Sequence, residues 1–299
     1  MQIPDFPNLI HYAIPFFIAT VILEVILTVK VKMKAYQYKD AATSIAMGLG
    51  NVAIGLMSKM MVLMAFYYVY NWFHLFDIPF VWWSWVLIVF AEDLTYYWFH
   101  RTSHERRFFW ASHVIHHSSR KYNLSTALRQ TWTGSFTSFI FWLPLVFIGF
   151  HPVMILVMMS ISLLYQYWIP TELITKLPKW FEVIFNTPSH HRVHHATNPQ
   201  YLDRNHAGIF IIWDRLFGTF EPEVEKPVYG LVKNINTFNP IKVAFLEWID
   251  LISDVSTSKT SILNKVKYLI KPPGWRHDGT GILSTDMRKE WEQKQKSER

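Results

Sequence analysis

Apolar residues come in long blocks along this chain rather than in stripes. Residues 12–29 (YAIPFFIATVILEVILTV) hold one charge, Glu24, and residues 41–70 and 80–99 form a second and a third block. Two shorter blocks, 134–150 and 152–169, are joined at Gly149-Phe150-His151-Pro152. Roughly 20 apolar residues span the roughly 30 Å of a bilayer's hydrocarbon. The first three blocks therefore predict spanning helices, and the last two an apolar hairpin that dips in and returns. The expected fold class is all-α: a polytopic membrane protein of about four to five apolar helices with a cytoplasmic helical cap. The expected organisation is N-terminal transmembrane helices over 1–99, a catalytic region over 100–222 that includes the hairpin 133–170, and a C-terminal segment over 223–299. From Lys271 onward that segment reads as a loosely held polar tail.

The basic residues orient these blocks. Lys and Arg are absent from 1–29, 71–80 and 130–170. Lys30, Lys32, Lys34 and Lys39 fill the first loop; Arg101, Arg106, Arg107, Arg120, Lys121 and Arg129 follow the third block; the rest, Lys59 excepted, lie after residue 170. Positive loops stay inside, which predicts an outer N-terminus and a cytoplasmic face made of 30–40, 100–130 and the C-terminal third. Tyr67, Tyr68, Tyr70, Trp72, Trp82 and Trp83 then bracket the outer loop as an interfacial belt. Lys59, inside an apolar block, is a functional candidate by position, the other reading being a snorkelling residue on a helix kinked near Gly55. The first block lacks a basic n-region and a small-residue cleavage site, so it predicts a retained helix rather than a leader.

Composition narrows the chemistry. The 299 residues are 51% hydrophobic, 17% aromatic and 17% charged, with a net charge of +7. Disorder is excluded by so many aromatic residues. The positive balance is a membrane-surface signature, because the cations adjoin apolar blocks and face anionic lipid; it does not indicate nucleic acid. There is no cysteine, which removes disulfides, thiolate metal sites, iron–sulfur clusters and thiol nucleophiles. Together with the short length, this favours a bacterial inner membrane over endoplasmic reticulum.

Fourteen histidines remain, and most are clustered. They fall in HRTSH (His100, His104), HVIHH (His113, His116, His117) and HHRVHH (His190, His191, His194, His195), with His206 following in RNHAG. At 100° per residue, Asp93, His100 and His104 lie within about 40° on one helix face, and His113, His116 and His117 cover about 100°, as do His191, His194 and His195. Thr187-Pro188 reads as an N-cap and a helix-starting proline, with Pro199 ending that run. Eight or more imidazoles exceed the three protein ligands of a catalytic zinc, which points to two adjacent metals. Imidazole alone does not name the metal. A zinc-dependent membrane hydrolase and a metal transporter are the readings from other classes; transport loops are usually of low complexity, whereas these runs are interleaved with Trp, Tyr and Phe. His11, His74, His151 and His277 lie away from the clusters.

At these residues the sequence resembles the fatty acid hydroxylase/sterol desaturase superfamily, whose HxxxH, HxxHH and later HxxHH are matched by His100/His104, His113/His116/His117 and His191/His194/His195. Flanking stretches (WFHRTSHE, HHSSRKYNLSTALRQ, LYQYWIPTELI, NTPSHHRVHH, IIWDRLFGTFE) are similar to its ether-lipid branch, the alkylglycerol monooxygenases. The resemblance implies a membrane-bound non-haem enzyme. Two iron ions on the eight box histidines would activate O2 and hydroxylate a lipid C–H bond next to an ether oxygen. It implies tetrahydrobiopterin as external reductant, and functional roles for Glu105, directly after the first box, and for Asp93. Sterol, carotenoid and fatty-acyl hydroxylases or desaturases share the same boxes. Relatives are expected to read HTE where this chain has Pro170-Thr171-Glu172, and often tyrosine where it has His206. They are also expected to carry further C-terminal spans.

Neutral imidazoles leave a metal strongly cationic, so carboxylates are needed nearby to fix tautomers and offset charge. Asp93, Glu105, Asp203 and Asp214 are the candidates. The chain contains no Rossmann glycine pattern, haem-attachment motif or ferredoxin motif. Its electrons are therefore expected from a separate donor, and its lipid substrate from the bilayer.

Overall fold

The structure is a computed structural model that describes residues 9–298, the side chains of residues 10 and 11 excepted. The His11 side chain therefore lies outside the described residues. The described residues are helical, with two isolated β-bridges and no strand. Two helices, α1 (Leu9–Lys30) and α2 (Tyr38–Phe73), are long and apolar enough to cross a membrane. Helix α2 runs unbroken through Gly55, and Lys59 is exposed on it with no hydrogen bond or ion pair among the described residues.

The third block folds as α3 (Trp82–Glu105), which carries Glu92 and Asp93 fully buried in its middle. Those two acids lower its hydropathy below that of α1 and α2. Beyond a one-residue break at extended Arg106, α4 (Arg107–His117) folds back along the end of α3. The block 134–150 is not one helix but two short ones, α5 (Gly134–Ser138) and α6 (Leu143–Ile148), linked by a 3-10 turn. Helix α7 (Pro152–Tyr167) completes the expected hairpin. Gly149 makes the turn before α7 at φ 124°, where a Cβ would lie 1.8 Å from the Phe76 carbonyl oxygen, so only glycine fits. The Leu75 and Phe76 amides bond the Phe147 and Ile148 carbonyls beside it. Val62, Phe66, Ile88, Trp142, Val146, Met154 and Met158 pack together as the main apolar core between α2, α3, α6 and α7.

Polar elements then gather at the end of the bundle that carries the lysine loop. They are α8 (Lys179–Ile184), α9 (Pro188–His194), α10 (Ile212–Leu216), α11 (Pro240–Thr257), α12 (Ile262–Ile270) and α13 (Ser284–Ser297). Two buried arginines brace this end of the bundle. Arg129 donates to Asp40 and Ser44 of α2 and to Ile115 and Ser118 at the end of α4. Arg107 opens α4 with ion pairs to Glu247 (2.9 Å) and Asp254 (2.6 Å) of α11.

The segment after Lys271 is not a loose tail. Ser284 bonds the Asp203 carboxylate, Arg288 bonds the Leu202 carbonyl, and the segment walls a cavity beside the histidines. That fold-back depends on contacts about 80 residues away in sequence, which local polarity does not reveal.

Candidate metal centre

Three helices deliver the histidines. HxxxH places His100 and His104 one turn apart on the last turns of α3. The break at Arg106 lets α4 return so that His113 and His117 face them, while His116 turns to the third box. Helix α9 supplies His191 and His194, and its C-cap supplies His195. Thr187 is the residue before this helix, as the sequence predicts, with Pro188 in the first turn. Its hydroxyl does not cap the helix, however, but bonds Glu182 and Ser189. Arg192, inside the third box, holds α9 in place through Glu223 (2.8 and 2.6 Å) and the carbonyls of Thr171 and Ile174.

All eight predicted rings converge in two adjoining groups. His100, His104, His113, His117 and His194 form one, and His116, His191 and His195 the other; within each group the available ligand atoms lie within 4.8 Å of one another. The groups meet where the ring of His195 stacks 4.4 Å from His117 and lies 4.5 Å from His116. The other histidines of the boxes and loops sort cleanly. His190 turns away toward Thr187 and Phe220. His74 pairs with Asp77, His277 with the Tyr268 hydroxyl, and His151 bonds the Val153 amide at the start of α7.

The hydrogen-bond pattern suits metal ligation. His100 and His194 donate from Nδ1 to the His206 carbonyl (2.8 Å) and the Arg204 carbonyl (2.9 Å), and His104 Nδ1 faces Asp203 at 3.2 Å. Those bonds fix the tautomers and leave each Nε2 as an inward lone pair. The Nε2 of His113 then lies 3.0 Å from that of His100 and 3.1 Å from that of His117. One proton on His113 cannot satisfy both contacts. His191 and His195 repeat the motif at 3.1 Å, while the Nε2 atoms of His104 and His194 are buried with no partner. Facing lone pairs and orphaned buried nitrogens are costly in an empty core, and cations between them would resolve that cost. The residues fit a dinuclear imidazole site.

Electrostatics agree. Burial, then the mutual repulsion of neighbouring imidazoles, lowers the pKa of His100, His113, His117, His194 and His195 well below the usual value. For His116, burial outweighs its bond to the Arg129 backbone and brings the value to about 4. The rings are neutral at neutral pH, which is the ligating form.

The carboxylates are placed less as the sequence suggests. Asp93 contacts no imidazole: it accepts from the Ile209 amide (2.7 Å), the Phe210 amide (2.9 Å) and the Trp213 indole (2.9 Å). It clamps the loop behind the centre, which is why Gly208 must lack a side chain there; a Cβ would meet Asp93 Oδ1 at 2.7 Å. Glu105 pairs with Arg101 one turn back at 2.8 Å and is partly exposed. Asp214 grips the amides of His206 and Ala207, both at 2.8 Å, and the Thr219 hydroxyl. Asp203 alone reaches a cluster imidazole. Thr171, where a histidine was expected nearby, instead bonds Glu24 of α1. His206, with both ring nitrogens buried and unpartnered, sits with its ring 5.1 Å from His104 and 5.7 Å from His100. Sequence reasoning missed Arg192 and Asn205. Arg192 was in view inside HHRVHH, whereas Asn205, at φ 56°, ties the His190 carbonyl to Glu221 by contacts no spacing predicts.

A cavity of about 660 Å3 opens beside the centre, with His104, His117, His194 and His195 on one side and Trp275, Ile282 and Met287 on another.

Comparison with known proteins follows the same residues. The sequence model of the fatty acid hydroxylase family matches residues 85–219, which include all eight clustered histidines. The chain is 42% identical to alkylglycerol monooxygenases of Danio rerio and of Homo sapiens over 91% of its length, covering 61% of each of those proteins. It is 36% identical to alkylglycerol monooxygenase of Caenorhabditis elegans over 80% of its length, covering 49% of that protein. The chain thus spans about three-fifths or less of these curated relatives, and no solved structure matches it. Residues 85–219 thus match the fatty acid hydroxylase family, and the chain as a whole resembles the alkylglycerol monooxygenases.

Proposed function

We propose that the protein is a multi-pass membrane oxygenase. It uses O2 and two iron ions to hydroxylate the carbon next to the ether oxygen of an alkylglycerol-type lipid. The hemiacetal so formed collapses to a fatty aldehyde and a glycerol. The observation that carries this reading is the convergence of eight imidazoles, most of them buried, from three helices within residues that match the fatty acid hydroxylase family, in a chain whose relatives are alkylglycerol monooxygenases.

Bound iron would supply the O2 activation that no side chain of a cysteine-free chain provides. The protein's own residues do the rest. His100, His104, His113, His117 and His194 would hold one ion, and His116, His191 and His195 the other. The His206 and Arg204 carbonyls and Asp203 keep the ligand protons on Nδ1. Asp93 and Asp214 position the loop that carries the His206 carbonyl, so their role is orientation rather than contact with substrate. Glu105, held by Arg101, places a negative charge beside the first box and offsets the cationic centre.

In this reading the first two helices and further apolar segments span the bilayer, with residues 30–40, 100–130 and the C-terminal third at its cytoplasmic face. The arginines and lysines at that end support this orientation. The bilayer is a bacterial inner membrane. The lipid approaches from the leaflet, its chain lying among Phe and Trp side chains. A separate, water-soluble electron donor, tetrahydrobiopterin in the ether-lipid branch, reaches the centre through the cavity beside His104 and His117.

The test is product analysis with purified, iron-loaded protein in lipid nanodiscs, an alkylglycerol, reductant and air. Fatty aldehyde release that stops without O2 is expected. A stable alcohol would indicate a hydroxylase of another lipid, and a new double bond a desaturase. Hydrolysis that continues without O2 would overturn the oxygenase reading.

A further inference from the structure

We infer that α11 and α12 form an in-plane docking surface for an anionic lipid leaflet, set directly outside the cavity that serves the histidine centre. The inference rests on the membrane reading above. Helix α11 has two opposed faces. At 100° per residue, Ile241, Phe245, Ile249 and Ile252 fall within about 80° of one another, and they are 36–63% exposed. About 180° away, Glu247, Asp250 and Asp254 line the cavity beside His104 and His117. Helix α12 repeats the pattern. Ile262, Leu263, Val266 and Ile270 cover about 100° and are 44–81% exposed, while Tyr268 on its other side packs with Leu251 and Ala111. Eight large apolar side chains on two packed helices make a patch of the kind that marks an interaction site rather than ordinary surface.

Charge selects the occupant. Between Val255 and His277 the chain carries Lys259, Lys265, Lys267, Lys271 and Arg276 and no Asp or Glu. Lys265 and Lys267 fall on either side of the apolar arc of α12. An apolar face rimmed by lysines fits a leaflet with anionic headgroups, which attract each such cation near the surface. A second copy of the same face would bring like charges together. The position fits as well. Helix α11 begins where the Thr43 hydroxyl donates to the Phe238 carbonyl (2.9 Å), and Val243 and Ala244 rest on Met47. Those contacts lie in the first turns of α2, just past the lysines of 30–39, where headgroups would lie. Leaflet docking therefore fixes the height of α11, whose inner acids hold Arg107 and with it the start of α4.

The absence of cysteine permits a direct test on the full chain. Single cysteines at Ile249, Val266, Ser253 (which lines the cavity) and Leu56 (exposed on α2) are spin-labelled. Their accessibility to oxygen and to a water-soluble nickel chelate is read in nanodiscs of phosphatidylcholine with and without phosphatidylglycerol. Labels at 249 and 266 are expected to match the label at 56, gaining oxygen and losing nickel contact, while 253 stays aqueous. K265E with K267E should return the label at 266 toward water only in the anionic discs. If 56 is in lipid but 249 and 266 are as open to nickel as 253, the docking surface is overturned. Protection that appears in detergent only at high protein concentration would also overturn it, by assigning the face to a second copy. Nickel contact at 56 would instead defeat the membrane reading on which the inference rests.

Discussion

The carboxylate of Asp203 faces His104 Nδ1 at 3.2 Å and accepts a hydrogen bond from Ser284. One acid, held in a left-handed backbone conformation at φ 53°, thus joins the first histidine box to the start of the C-terminal helix. Burial raises its pKa, but the hydrogen bonds from His104 and Ser284 outweigh that, and the carboxyl lies below its usual range. Asp203→Asn should weaken metal affinity by about 10–100-fold, the usual consequence of losing such a supporting partner. Ser284→Ala should have a smaller effect in the same direction. Competition with a chelator of known affinity measures both.

His190 supplies an internal control. It belongs to the same run as His191, His194 and His195 but turns toward Thr187 and Phe220. His190→Gln should keep the full metal content of the wild type, by elemental analysis, whereas His191→Gln should not.

The pH response has a definite sign. In the unfolded chain a histidine titrates near 6.5, whereas burial lowers His116 and His190 to about 4 in the folded protein. The unfolded state therefore binds protons first as pH falls. Stability of the metal-free protein should be fully present above about pH 6.5 and drain away between there and about pH 4. Thermal unfolding of the detergent-solubilised apoprotein across that range checks this. A profile flat through pH 5 would contradict the buried, neutral cluster.

The spacing of HxxxH and HxxHH made the clustering of the eight histidines legible, because helical periodicity alone puts those rings on common faces. It could not show which way the acids turn. Asp93 lies on the same face as His100 by angle, yet tertiary contact with the 209–213 loop satisfies both its oxygens. Glu105 follows its neighbour Arg101 instead of the box. The apolar blocks were read well in extent and less well in continuity: 134–150 breaks into short helices. The fold-back of Ser284 onto Asp203 was invisible, since no local pattern encodes a contact between residues so far apart in the chain.

Asp93 should matter for architecture before chemistry. Asp93→Ala leaves the Ile209 and Phe210 amides and the Trp213 indole without their acceptor. Unsatisfied buried donors cost about 1–3 kcal/mol each. A fall in unfolding temperature, together with weakened metal binding through the displaced His206 carbonyl, is expected. Gly208→Ala should produce a milder version of both, because its Cβ would press on the same carboxylate.

The central claim is that three separate stretches of chain build one dinuclear centre. Iron content of purified, reconstituted protein tests it most directly, in the wild type and in His104→Ala, His117→Ala and His195→Ala. Two irons per chain in the wild type, with loss in each variant drawn from a different box, is the predicted result. A single metal per chain, or content unchanged by any of the three substitutions, would contradict it.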